Sequence, residues 1–107
     1  MSGYLLKPAD RDAAFMMDWR RGWLAPGETV AADLGWSIRP EATAAGGLVV
    51  TEQHHDVARS WAGFGGGVPG RVYLVAGRVM TSQGRTLERA IVLRIALGRR
   101  ATGRGRA

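Results

Sequence analysis

The chain has 107 residues, of which 46% are hydrophobic, and it carries no cysteine and a formal net charge of +6. This length suits one domain with its own core, and the hydrophobic fraction excludes a wholly disordered chain. The absence of cysteine excludes disulfides and thiolate metal sites. No apolar run approaches the roughly 20 residues of a membrane-spanning helix, and residues 1–10 lack the apolar core of a secretory signal. We therefore expect no membrane partner and synthesis in the cytoplasm.

Much of the positive charge lies at the C-terminus. Residues 98–107 mix glycine and alanine with four arginines, Arg99, Arg100, Arg104 and Arg106. Such a segment can bind phosphate by releasing counterions, but it lacks the interleaved aromatic side chains that stack on bases. It is also typical of a flexible, solvated end. We expect at most a weak nucleic-acid contact from this C-terminal segment.

The first aromatic residues fit either a strand or a helical turn. Phe15, Met17 and Trp19 occupy alternate positions, as in a strand, whereas Trp19 and Trp23 are four residues apart, as in a helix. Because Pro26 limits any helix to a short segment, the pattern predicts a strand followed by one helical turn.

The clearest strand pattern lies between residues 28 and 38. Apolar side chains there occupy every second position, namely Val30, Ala32, Leu34, Trp36 and Ile38. A period of two directs one set of side chains to a core and the other to solvent, so this set is predicted to face the core. Pro26 and Gly27 before the segment and Pro40 after it are typical of strand ends.

Two further strands are predicted in the middle of the chain. Residues 48–51 form a short β-branched run. Between residues 57 and 64, one face carries Ala58, Ser60, Ala62 and Phe64, and the other Val57, Arg59 and Trp61. The alternation is poor, so the facing of this strand stays open. Trp61 lies opposite the apolar Ala62 and Phe64, so it belongs either to the core or its rim, or to an exposed aromatic contact with a partner.

A glycine-rich stretch follows at residues 65–70. A phosphate-binding loop would require a helix after it, with amide groups pointing at the anion. The residues after Gly70 have the composition of a strand instead. We therefore predict a tight turn between two strands.

The last two strands are predicted to form a hairpin. Apolar side chains recur at every second position in two runs, Tyr73, Val75 and Val79, and then Ile91, Leu93, Ile95 and Leu97. Residues 82–85 separate the runs as a turn, in which Gly84 can supply the positive φ that a hairpin requires.

These elements predict an all-β fold, a single immunoglobulin-like or fibronectin-type antiparallel β-sandwich of about 6–7 strands. We place the β-sandwich domain at residues 13–97. An N-terminal arm at 1–12 would precede it, and a flexible Arg- and Gly-rich tail at 98–107 would follow it.

Nothing in the sequence predicts catalysis. Neither a nucleophile beside a base nor a pair of tuned carboxylates is recognisable, so we expect no enzyme, no catalytic residue and no cofactor. Glu52, His54 and Asp56 have the spacing to share one face of a strand and bind a cation. They lie in a polar segment that is more typical of a solvated turn, so no metal is expected.

Several short motifs, taken in order, resemble a family of tailed-phage virion proteins, the fiber-tail adaptors. They comprise Lys7-Pro8-Ala9-Asp10, Phe15-Met16-Met17-Asp18-Trp19, Trp23-Leu24, Glu28-Thr29-Val30, Trp36-Ser37-Ile38 and the residues 66–75, 78–86 and 88–95. The resemblance covers residues 6–97. Gly63 and Gly77 depart from it, because larger side chains are expected at these positions.

The resemblance implies a structural component of the virion that acts through protein–protein contacts in the neck, tail or fibre attachment. It implies other virion proteins as partners (portal, neck, tail or fibre subunits), an assembly in several copies, and synthesis in the bacterial host cytoplasm. Exposed strand edges and loops are the expected contacts. The candidate contact residues are Tyr4, Leu5, Leu6, Trp61, Arg99, Arg100, Arg104 and Arg106, with the loop at 65–70.

Two alternatives stay open. The chain would be a small basic nucleic-acid-binding module if its C-terminal segment bound DNA. It would be a carbohydrate- or receptor-binding sandwich domain if it lay on a fibre, although no cluster of exposed aromatic and carboxylate residues is recognisable.

Overall fold

The computed structural model describes residues 3–40 and 46–97, and these residues form seven strands and no helix. In chain order, the strands are β1 (Tyr4–Lys7), β2 (Ala13–Asp18), β3 (Val30–Arg39), β4 (Val49–His55), β5 (Arg59–Gly65), β6 (Val72–Thr81) and β7 (Thr86–Ile95). One sheet has the order β1-β7-β6-β3, and the other has the order β2-β5-β4. The predicted all-β fold is confirmed. None of the described segments is a helix that could cross a membrane.

The two sheets enclose one hydrophobic core. The alternation along each strand places these side chains in it: Met17, Ala62 and Phe64 from the three-stranded sheet, and Tyr73, Val75, Val79, Ile91, Leu93 and Ile95 from the four-stranded sheet. Full burial of a side chain as large as valine, leucine or phenylalanine contributes about 1.5–3 kcal/mol. The facing predicted for β6 and β7 is therefore confirmed, while Leu97 lies beyond β7 and is exposed.

Strand β3 departs from its predicted alternation. Two irregularities interrupt its pairing with β6, the second between Asp33 and Gly35. A β-bulge places an extra residue opposite a single partner, so one period cannot describe both halves of the strand. Leu34, predicted to face the core, is 41% exposed for this reason. Trp36 and Ile38, which follow the bulge, pack against the core as predicted.

Gly77 makes room for a core aromatic ring. It lies on the core-facing side of β6, where the resemblance implies a larger side chain. A Cβ atom there would lie 3.2 Å from both Met17 Sδ and the Trp36 ring. The space is occupied by that ring, which meets Phe64 edge-on with centroids 5.8 Å apart.

Strand β1 corrects one expectation. Tyr4–Lys7, which lies within the predicted N-terminal arm at 1–12, forms backbone hydrogen bonds with β7. The pairing is parallel, whereas the prediction was an antiparallel sandwich. Parallel pairing is possible because the chain passes from β1 to the other sheet before it returns, and no hairpin joins β1 to β7. Lys7 is fully buried, its Nζ donates to Pro8 O at 2.9 Å, and burial lowers its pKa.

Two turns that the sequence predicts are present in the structure. Gly84 adopts a φ of +79° in the predicted hairpin between β6 and β7, and its N–H donates to Thr81 O at 2.9 Å. After β2, the predicted helical turn is a hydrogen-bonded turn that ends at Leu24, whose N–H donates to Trp19 O at 2.9 Å. This turn brings Trp23 edge-on against Trp19, with centroids 5.5 Å apart.

Candidate functional site

The outer side of the four-stranded sheet carries exposed apolar side chains in two rows, and we call these two rows the four-stranded face. Strand register defines the rows as Tyr4, Val92 and Leu74, and as Leu6, Arg94 and Val72. The apolar residues at the four ends of the rows are 49–59% exposed. Directly opposite residues on neighbouring strands have Cβ atoms about 4.5–5.5 Å apart, so the rows form one continuous patch. Such a patch is typical of an interaction site.

Arginines surround and interrupt the four-stranded face. Arg39, on the edge strand β3, is the cross-strand neighbour of Leu74. Arg78 forms an ion pair with Glu88 at 3.4 Å, whereas Arg39 and Arg94 form none among the described residues. Glu88 is the one acidic side chain that the described register places on this side of the sheet. The described charged residues on this side of the sheet are therefore three cations and one anion, with a net charge of +2.

The outer side of the other sheet is centred on Trp61, and we call this surface the three-stranded face. Trp61 is half-buried, and His54 meets its ring edge-on with centroids 4.8 Å apart. The Arg59 guanidinium lies 5.4 Å from the centroid of the Trp61 ring. Met16, on β2, is the cross-strand neighbour of Trp61. Arg59 is held in turn by Asp56, at 2.9 Å. The neighbouring side chains thus support the indole while part of it stays exposed.

The structure separates the predicted contact residues. Tyr4 and Leu6 share the four-stranded face, whereas Leu5, between them, points inward and packs against the core. Trp61 lies on the three-stranded face, on the other side of the core.

The remaining predicted contacts, Arg99, Arg100, Arg104 and Arg106, lie outside the described residues. Their role stays a prediction, as do the domain boundaries at 13 and 97.

The loop at residues 65–70 connects β5 to β6, as predicted. Val68, at 41% exposure, lies in this loop and its N–H donates to Tyr73 Oη at 3.1 Å. Gly67 has a φ of +100°, and a Cβ atom there would overlap Ile95 Cδ1. The loop is therefore held close against β6 and β7 and forms one end of the domain.

The family model described as "Podophage GP4 fiber-tail adaptor protein gp77" matches residues 7–94. The chain belongs to this family. The resemblance seen in the short motifs is therefore confirmed, and the adaptor is a structural component of the phage virion. No curated protein matches the chain. The match spans β2 to β6 and nearly all of β7, so it includes Trp61, Leu74 and Arg94 but not Tyr4 or Leu6.

A buried carboxylate fastens the segment before β3 to the β6–β7 hairpin of the adaptor. Glu28 is fully buried and accepts hydrogen bonds from Arg85 Nε at 2.9 Å, Arg85 Nη2 at 2.6 Å, the Thr81 hydroxyl and the Ala25 N–H. Arg85 also donates to Trp23 O at 2.7 Å. The hydrogen bonds from Arg85 lower the pKa of Glu28 to about 2. Both carboxylate oxygens are used, so this cluster stabilises the fold.

The side-chain groups on the two faces of the adaptor suit protein binding. Within 3–40 and 46–97, no three His, Cys, Asp or Glu side chains come together in a way that could hold a metal ion. His54 contacts Trp61, and Glu52 lies beside Gly63 on the neighbouring strand. The two faces present apolar, aromatic and guanidinium groups, which are the groups enriched in protein interfaces.

The sequence-based candidates omitted four residues of the four-stranded face, namely Val72, Leu74, Val92 and Arg94. A signal for it was present, because β6 carries apolar side chains on both of its sides. Apolar residues on both sides are typical of a strand that is covered on both sides. The outer residues of β6 therefore indicated a second covered surface.

Proposed function

We propose that the adaptor joins a fibre protein to a tail protein through protein–protein contacts made by its two opposite faces. A protein that holds two others together needs two separate surfaces. The single observation that carries the proposal is the placement of the four-stranded face and the three-stranded face on opposite sides of one core.

The chemistry of both faces supports this proposal. The four-stranded face offers exposed apolar side chains on three neighbouring strands, and the three-stranded face offers a supported tryptophan, a residue type enriched among those that dominate binding energy. Both faces are built on sheet rather than on loops. Little conformational entropy is therefore lost when a partner binds.

We also propose that the adaptor is located in the virion and present there in several copies, beside tail and fibre proteins. Family membership supports this assignment. The arginines of the C-terminal segment would add contacts to these partners or to nucleic acid.

We further propose that the two sheets form an immunoglobulin-like sandwich. The strand orders β7-β6-β3 and β2-β5-β4 correspond to the arrangement of the two sheets in that fold. Tyr73, near the start of β6, accepts a hydrogen bond from the backbone of Val68 five residues upstream. This resembles the tyrosine corner of immunoglobulin-like domains. An experimental structure with other strand orders in the two sheets, or without this hydrogen bond, would contradict the assignment.

The proposal is tested by weakening one face at a time. Leu74→Gln changes the four-stranded face and Trp61→Gln changes the three-stranded face, while Val57→Gln changes an exposed residue in the β4–β5 turn as a matched control. Binding of each variant to the purified fibre and tail proteins of the same phage is measured by calorimetry. We expect each face variant to lose one partner and retain the other, and the control to retain both.

Two results would contradict the proposal. Unchanged binding in both face variants would show that neither face is used. Loss of the same partner in both variants would show that the faces do not serve different proteins.

A further inference from the structure

We infer that the four-stranded face binds an acidic surface of its partner protein, with carboxylates placed around an apolar centre. The inference rests on the proposed function, because it specifies the partner of one of the two proposed faces. It comes from the combination of an exposed apolar patch with two arginines, Arg39 and Arg94, that form no ion pair within residues 3–40 and 46–97.

The position of Arg94 indicates where the partner needs a carboxylate. In register it lies between Leu6 and Val72, so its guanidinium stands within the apolar patch. Any protein that covers Leu6 and Val72 also removes water from Arg94. A desolvated charge is costly unless the partner supplies an opposite charge and hydrogen bonds. The partner therefore needs a carboxylate opposite Arg94, where a planar guanidinium can bind it with two hydrogen bonds.

Arg39 fixes where a second carboxylate belongs. It lies two strands away from Arg94 and two residues further along the sheet, since Arg94 is opposite Val72 and Arg39 is opposite Leu74. Strands are about 4.8 Å apart and residues about 3.4 Å apart, so the two positions are separated by about 12 Å. The partner surface should therefore carry two acidic groups about 12 Å apart, with an apolar contact to Leu74 between them.

A second copy of this chain fits this face poorly. Two copies that meet by the same face would bring Arg39 and Arg94 of one copy against the arginines of the other, and like charges across an interface are unfavourable. DNA also fits poorly. Phosphate contacts need cations but no apolar centre, whereas the row ends of this face are apolar and 49–59% exposed.

The test reverses single charges and leaves the apolar patch intact. The variants are Arg94→Glu and Arg39→Glu, with Arg21→Glu as the matched control, since Arg21 is exposed in the turn after β2 and forms no ion pair among the described residues. Binding to the purified fibre and tail proteins is measured between 50 and 500 mM NaCl. Thermal unfolding verifies that each variant is folded. If Arg94→Glu is not folded, Arg94→Gln replaces it.

We expect Arg94→Glu and Arg39→Glu each to weaken binding of one partner at least about tenfold and to reduce its dependence on salt. Arg21→Glu is expected to change the binding affinity for that partner less than about twofold. If Leu74→Gln weakens binding but neither charge reversal does, the partner is not acidic and this inference fails while the proposed function stands. If none of these three changes weakens binding of either protein, the face is not used, and the proposed function fails with it. Binding of a DNA duplex that is lost in Arg94→Glu would overturn the assignment to a protein.

Discussion

The buried hydrogen bond between Trp19 and Ser60 links the two halves of the adaptor's sequence within its core. Trp19 Nε1 donates to Ser60 Oγ at 3.0 Å, and both residues are fully buried. Ser60→Ala removes the acceptor, and water cannot replace it because the site is closed. A buried donor that is left without an acceptor costs about 1–3 kcal/mol.

This free energy corresponds to a measurable change in melting temperature. For a domain of this size, a loss of 1 kcal/mol lowers Tm by about 4–8 °C, so Ser60→Ala should lower Tm by about 4–24 °C. Circular dichroism during heating measures Tm, and urea unfolding gives the free energy of unfolding independently.

Ser82→Ala is the matched control for this prediction. Ser82 Oγ accepts the Thr29 N–H at the same distance of 3.0 Å, but this hydrogen bond is exposed. Water can replace the hydroxyl there, so the expected cost is within about 0.5 kcal/mol. Equal destabilisation by the two substitutions would refute the reasoning, because burial would then have no influence on the cost.

Three further substitutions test other contacts of the fold. Because the pKa of Glu28 is about 2, below its ordinary value of 4.5, its stabilising effect is complete above pH 4.5 and is lost towards pH 2. Glu28→Gln should therefore lower Tm at pH 7 but not near pH 2. Tyr73→Phe removes the acceptor of the Val68 N–H and should cost about 0.5–1.5 kcal/mol in urea unfolding. Gly67→Ala places a Cβ atom against Ile95 at positive φ and should cost about 1–3 kcal/mol in urea unfolding.

Two of these substitutions have a control variant, and Glu28→Gln is checked by its pH dependence. Gly84→Ala also has a positive φ but meets nothing within 4 Å, so it should cost less than Gly67→Ala. Tyr4→Phe removes an exposed hydroxyl and should leave stability unchanged, in contrast to Tyr73→Phe. A Tm difference for Glu28→Gln that persists unchanged at pH 2 would contradict the assigned ion pair with Arg85.

Where a strand is regular, its facing could be predicted from a period of two. The period of two predicts the burial of Val75 and Leu93, and the positive φ that a glycine allows predicts the turn at Gly84. Leu34 was misassigned because a bulge shifts the register within β3, and bulges leave no fixed pattern in a sequence.

Contacts between distant parts of the chain could not be predicted. The parallel pairing of β1 with β7 depends on packing between the two ends of the chain, which no local pattern records. For the same reason, Tyr4 and Leu6 could be proposed as contacts, but their neighbours Val92 and Leu74 could not. The alternation of Trp61 with Ala62 is local, so exposure of Trp61 could be offered as an alternative, but the sequence did not decide between the core and the outer side.

Electron cryomicroscopy of the intact phage tail would test the central claim most directly. The account predicts that each copy of the adaptor lies between a tail protein and a fibre protein. The four-stranded face, with Leu74 and Arg94, should contact one of these proteins, and the three-stranded face, with Trp61, should contact the other. A map in which both faces are open to solvent, or in which both contact the same protein, would contradict the account.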